Sequence, residues 1–201
     1  MSLLKKIHGD YVFSRRVRVV SDSLSNLISS GESVLDIGCG NGQIASLIGE
    51  KCPGVTVQGL DVLVRSQTYM PVAGFDGNRI PYDDNSFDVV MFVDVLHHTD
   101  DPMILLREAV RVARAGIVIK DHLKQGMFAE STLRIMDWVG NSSYGVALPY
   151  NYWPLREWMG AFAVLNLKVS SWKKELKLYP VPARWVFDRS LHFVARLELI
   201  N

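Results

Sequence analysis

Charge of one sign is what this sequence lacks most plainly. Its 22 lysines and arginines face 21 acids, for a net charge of +1. A nucleic-acid-binding face needs a basic excess. The short clusters here, Arg15-Arg16 with Arg18 and Lys173-Lys174, do not supply one. No nucleic-acid partner is expected. Cysteine is scarce too, with only Cys39 and Cys52. That excludes a disulfide scaffold and suits a reducing compartment. No Cys or His pair stands at metal-ligand spacing, so no metal is expected. Long apolar runs are also missing. The apolar part of "MSLLKKIHGD" is too short for a signal peptide. The longest apolar stretch, "FDVVMFVDVLHH", is cut by Asp88 and Asp94. No membrane insertion is expected, and a cytoplasmic location is.

What is present is enough apolar sequence, 48% of 201 residues, for one α/β domain with a sizeable core. Val17, Val20, Leu24, Leu27 and Ile28 recur at helical spacing and predict a helix over 11–30, stopped by Gly31. "SVLDIG" reads as a buried strand and "GQIASLIGEK" as a helix. "VTVQGLD" (55–61) is the second strand, and "VLVRSQTY" after it is expected to be a short helical connection. "PVAGFD" (71–76) is a weaker third strand. "FDVVMFVD" (87–94) is apolar on both faces, as a central parallel strand must be. Asp101 is placed to cap a helix that opens with Pro102, and "GIVIKD" (116–121) is a fifth strand. Strands alternating with helices imply a parallel sheet with right-handed crossovers. "MFAESTLRIMDWVG" and "PLREWMGAFAVL" read as helices. "LKVSSWKKEL" and "LHFVARLEL" are strands joined by a loop too poor in helix for a parallel crossover, so this pair is expected to be antiparallel.

"VLDIGCGNGQ" (34–43) carries the chemistry. A glycine-rich turn after the first strand lets a ligand approach the backbone, and the following helix points its free N–H groups at it. The spacing is G-x-G-x-G, with Gln43 where a dinucleotide loop has its third glycine. No lysine follows, so it is not a P-loop. Asp36, two residues before the first glycine, repels a pyrophosphate and attracts an ammonium group. Asp61, 19 residues beyond Gly42 at the end of the second strand, suits the two hydroxyls of a ribose. Asp76, at the end of the third, suits an exocyclic amine, and the Gly77 N–H suits the ring beside it.

A ligand with an amino group, a ribose and an adenine but no phosphate is S-adenosylmethionine. At these residues the chain resembles the class I S-adenosylmethionine-dependent methyltransferases of the type 11 kind. The resemblance rests on "VLDIGCGNG" (34–42), the acid of "VQGLDV" (56–62), and "DGNRIPYDDNSFDVVMFVDVLHH" (76–98). It implies a Rossmann-like doubly wound α/β/α fold with seven strands, the last antiparallel. It implies one domain over 1–201: the 11–30 helix, a cofactor-binding core over 31–121, an acceptor cap over 122–165 and the strand pair over 167–199. Methionine would lie against Asp36, Gly38 and Gly40, with Cys39 a packing residue of the same cofactor-binding loop, ribose on Asp61, and adenine against Val62, Asp76 and Gly77. Val93 and Asp94 would border the methionine. The product would be S-adenosyl-L-homocysteine, and the partner a small-molecule acceptor.

Methyl transfer from a sulfonium expels a neutral thioether, so alignment and exclusion of water matter more than acid catalysis. A hydroxyl acceptor needs a base, for which His97 and His122 are the candidates, both at the carboxyl edge of the sheet. Arg15 and Arg16, near Tyr11 on the first helix, are placed to meet the methionine carboxylate or an acidic substrate. The rings of Trp138, Tyr144, Tyr150, Tyr152, Trp153 and Trp158 are expected to cap the site and select a partly apolar acceptor. Tyr150 and Trp153, with Tyr11 and Arg15, are the candidate acceptor contacts. Two other readings rank lower: a binding or scaffold protein that kept the fold, and a nicotinamide dehydrogenase, which Asp36 and Gln43 oppose.

Overall fold

The computed structural model describes residues 3–141 and 148–200, with side chains from residue 11 onward and not at 141. Seven strands form one sheet: β1 (Ser33–Ile37), β2 (Thr56–Asp61), β3 (Val72–Gly74), β4 (Phe87–Val93), β5 (Ala113–His122), β6 (Leu167–Lys173) and β7 (His192–Leu199). Their order is β3-β2-β1-β4-β5-β7-β6. The first five run parallel, and β7 pairs antiparallel with both β5 and β6. This is the Rossmann-like arrangement expected from the sequence. Its order reverses between β1 and β4, the switch point where open α/β sheets bind ligands.

Alternation along β4 divides the core into two layers. Val89 and Met91 point to one face and Val90 and Phe92 to the other, all fully buried. On the first face lie α1 (Leu3–Ser25), through Val20 and Leu24, and α2 (Gln43–Lys51), through Ala45 and Ile48. On the second lie α3 (Pro102–Val112) and α5 (Leu155–Val164), through Leu106, Ala109, Trp158 and Phe162. A smaller cluster joins α4 (Ala129–Asn141), through Leu133, to Tyr152 and Leu191. Asp101 caps α3 as expected, its Oδ1 accepting the Met103 N–H at 2.9 Å. Asp88 ties the base of β4 to β1, accepting from both the backbone N–H and the hydroxyl of Ser33.

The structure corrects two elements. The first helix runs over Leu3–Ser25 rather than 11–30; Leu27 and Ile28 continue its apolar stripe from turns, whose N–H groups bond to Leu24 and Ser25. Residues 62–69 form no helix. The Asp61 carboxylate takes the Leu63 N–H at 2.8 Å, and the Tyr69 N–H bonds to the Asn41 carbonyl at 2.8 Å. Those two ties hold the segment as a loop along the glycine turn, with Val62, Leu63 and Val64 exposed.

Candidate functional site

The glycine turn leaves the end of β1 with Gly38, Gly40 and Gly42 at φ 69°, 61° and 73°. This is the left-handed region that favours glycine. Two of the three have packing reasons as well. A Cβ on Gly38 would sit 2.6 Å from the Val95 side chain, and one on Gly42 2.5 Å from Met70. A Cβ on Gly40 would meet nothing within 4 Å, so this backbone borders open space. Bonds to β2 fix the turn: Gly38 N–H to the Leu60 carbonyl and Gly40 N–H to Asp61 Oδ2, each 2.7 Å.

Beside the turn lies a cleft of about 560 Å³, a volume common for small-molecule sites. Asp36, Gly40, Asp61, Val62, Val93 and Asp94 are among its walls, as are Gly38 and Cys39. Asp36 is 2% exposed and its Oδ1 has no hydrogen-bond partner. Burial, and then the charge of Asp61, push its pKa well above the ordinary carboxyl value. An unpaired buried carboxyl disfavours an anion and favours a positively charged group. Val62, 65% exposed, offers an apolar surface across the cleft, and Gly77 lies against it, its missing Cβ 3.0 Å from Val62 Cγ1. These features fit an amino-acid-bearing, phosphate-free nucleoside. Asp76 is exposed, and its Oδ1 accepts the N–H groups of Arg79 and Asn78, which lower its pKa.

A second pocket of about 510 Å³ adjoins the first, sharing Phe13, Arg16, Asp94 and His98. It is built over a buried polar cluster. Asp94, in the turn after β4, accepts from Arg16 of α1 at 2.6 Å and from Lys120 of β5. Although burial opposes its charge, Lys120 and Arg16 hold the Asp94 carboxyl well below its usual range. Lys120 is itself fully buried. His97 lies in the short helical turn Leu96–His98, its Nδ1 2.6 Å from Asp121 Oδ1 and its Nε2 3.3 Å from Asp137 Oδ2. Burial works against a charged ring, but Asp121 and Asp137 outweigh it and raise the His97 pKa to about 10. Burial lowers that of His98 to about 4 and also lowers that of His122, the charge of His97 adding to both.

The sequence-derived site residues therefore separate. Asp36, Gly38, Cys39, Gly40, Asp61, Val62, Val93 and Asp94 share one cleft, while Asp76 and Gly77 lie outside its walls. His97 and His122 line the second pocket with Asp137 and Met136 of α4. Arg15 instead donates to the Lys177 carbonyl at 3.1 Å, and Arg16 is engaged by Asp94. Tyr11 is exposed and borders neither pocket.

The aromatic segment does not line these pockets among the described residues. Trp153 and Trp158 pack edge to face at 5.0 Å in the core, Tyr150 lies under Arg134, and Tyr152 stacks behind His97 at 5.6 Å. Trp138 is exposed on α4, and Tyr144 lies outside the described residues. The reason is apolar burial: the rings nearest α5 fill its contact with the sheet. Phe13 and Tyr179 supply rings to the second pocket instead. Lys120, Asp121 and Asp137 were not singled out from the sequence. A lysine inside the apolar strand "GIVIKD" was the available signal for the first.

Comparison with known proteins gives the following. A family model described as a methyltransferase domain matches residues 35–119. Methyltransferase GfsG of Streptomyces halstedii is 30% identical over 125 residues, 55% of this chain and 45% of the relative. Ajmaline N-methyltransferase of Rauvolfia serpentina is 25% identical over 162 residues, 72% of this chain and 56% of the relative. The chain thus spans about half the length of these curated relatives. Geranyl diphosphate C-methyltransferase of Streptomyces coelicolor A3(2), solved with S-adenosyl-L-homocysteine, superimposes with a TM-score of 0.69 at 14% identity. That match covers 91% of this chain and 76% of that one.

Proposed function

This chain belongs to the class I S-adenosylmethionine-dependent methyltransferases, and from that premise we propose that it moves a methyl group to a small, partly apolar acceptor. The observation that carries the reading is the Asp36 carboxyl, buried without a partner for Oδ1 in the wall of the cleft. When bound, S-adenosylmethionine supplies an electrophilic methyl group on a sulfonium, and a neutral thioether leaves.

The chain's own residues then divide the work. Asp36 holds the ammonium of the methionine end. Asp61 accepts from the ribose hydroxyls, since each of its oxygens has lone-pair capacity beyond the backbone bond it already accepts. Val62 covers the adenine, with Asp76 and Gly77 at its edge. Val93 and Asp94 border the methionine, and Asp94 keeps its charge toward Arg16 and Lys120. The second pocket takes the acceptor, beside Phe13 and Met136. His97, held protonated by two carboxylates, is unsuited to be a base. His122, whose ring burial keeps neutral, is the group to receive a proton from a hydroxyl acceptor.

Calorimetry with S-adenosyl-L-homocysteine and with NAD tests the cofactor. Binding of the first and not the second is expected; tight NAD binding alone would sink the reading. A labelled-methyl transfer assay against a metabolite extract, with mass spectrometry of the product, tests the activity. Cofactor binding with no labelled product from any extract would leave a binding protein rather than an enzyme.

A further inference from the structure

His97, His98 and Asp137 each offer one ligand atom, and these atoms lie within 4.8 Å of one another. The three come from two separate elements, the turn after β4 and the helix α4, and all three line the second pocket. We propose that they form a binding site for a divalent first-row transition-metal ion of the zinc type, on the wall of the acceptor pocket.

Four observations carry this. First, His97 is 2% exposed and its buried Nε2 makes no well-formed hydrogen bond, facing the Asp137 carboxylate at 3.3 Å. A metal ion between the ring and the carboxylate would take the place of the proton that the ring otherwise carries at Nε2. His98 Nδ1 is buried and unpartnered. Second, His97 Nε2 and Asp137 Oδ2 are 3.3 Å apart. Two ligands on one tetrahedral ion, with bonds of about 2.0–2.1 Å, are separated by roughly 3.3–3.4 Å.

Third, the supporting shell is in place. Asp121 holds His97 Nδ1 at 2.6 Å, the arrangement that turns the other ring nitrogen toward a metal. The Tyr152 hydroxyl donates to Asp137 Oδ2 and fixes that carboxylate. Fourth, the neighbouring cluster of His97, Asp121 and His122 offers no comparable site. Asp121 there already accepts from the backbone N–H groups of Leu96 and His122 and from His97, and it has no exposed surface.

The donor set selects the ion. Two imidazoles and one carboxylate suit zinc, iron(II) or cobalt(II), whereas magnesium and calcium prefer all-oxygen sites. Three protein ligands leave at least one position of a tetrahedral ion open, as catalytic rather than structural zinc sites do. All three ligand residues line the pocket assigned to the acceptor, so a hydroxyl, carbonyl or amine bound there would be the group to complete the coordination. Only this last use rests on the proposed function; the metal site itself does not.

The test is titration of the chelator-stripped chain with cobalt(II), followed by visible absorption and metal analysis. One cobalt per chain is expected, with ligand-field bands that zinc abolishes and magnesium leaves unchanged. His98→Ala and Asp137→Asn should each weaken binding at least tenfold. Tyr152→Phe should weaken it less, through the loosened carboxylate. His98 is only half-buried, so H98A is expected to keep the wild-type thermal midpoint, which the same preparation checks. No stoichiometric uptake by the unaltered chain overturns the site. So does uptake with the same affinity in a folded H98A variant. The readout is independent of methyl transfer, so loss of the cofactor reading would leave this result standing, and the reverse.

Discussion

Asp61 and Asp36 face the same cleft from neighbouring strands, but only Asp61 has its oxygens engaged by the turn. Its Oδ2 holds the Gly40 N–H and its Oδ1 the Leu63 N–H, while Asp36 Oδ1 has no partner. One acid shapes the loop; the other keeps a buried oxygen without a partner.

That asymmetry gives Asp36→Asn opposite effects on stability and binding. A carboxyl with a folded-state pKa above its ordinary 3.8 keeps its proton after the unfolded chain has lost its own. The stabilising effect is complete below 3.8 and is lost as pH rises through the folded-state value. In D36N the ligand-free protein should therefore melt higher at neutral pH and lose this part of the pH slope. Affinity for S-adenosyl-L-homocysteine should fall about ten- to hundred-fold, the worth of a charged hydrogen bond. Thermal melts across pH with calorimetry check both; unchanged affinity would remove Asp36 from the site.

Gly38→Ala and Gly40→Ala should differ although both glycines have positive φ. Each alanine meets a left-handed strain of about 1–2 kcal/mol. At Gly38 the new methyl also strikes Val95 at 2.6 Å, so G38A should be the less stable variant by denaturant midpoint. At Gly40 the methyl enters open space, so G40A should show its larger defect in cofactor affinity.

Asp94→Asn should destabilise by about 3–5 kcal/mol, because it leaves the Lys120 ammonium buried without its carboxylate. Adding Lys120→Met should recover much of that loss, as apolar replacements of buried charges often do. Urea unfolding of the two single variants and the double variant closes the cycle. Additive losses would mean that the two groups do not depend on each other.

Trp153→Ala should cost about 3 kcal/mol of stability, as large-to-small changes in a packed core do. It should leave the acceptor KM of the remaining folded enzyme near normal. Phe13→Ala should do the reverse, raising KM several-fold with a small change in melting temperature, because Phe13 is exposed at both pockets. A KM effect confined to W153A would return acceptor recognition to the aromatic segment.

Much of the fold was legible because its signals are local. Two-sided apolarity marked β4 as central, and Asp101-Pro102 marked the start of α3. The 62–69 segment was misread as helical because its true partners, Asp61 and Asn41, act through backbone bonds that no periodicity reveals. The wall of the first cleft was legible for the same local reason: the glycine turn and Asp61 at the end of β2 carry their own spacing.

The sequence by itself determined the sheet, the turn and the acid at Asp36, since alternation, glycine and a short loop fix those within a few residues. Only the tertiary structure decided the wall of the second pocket. His97 and Asp137 are 40 residues apart in the chain, and Arg16 meets Asp94 across 78. Their encounter depends on how α1 and α4 pack over the carboxyl edge of the sheet. It depends also on burial, which turns ordinary polar side chains into strongly coupled partners.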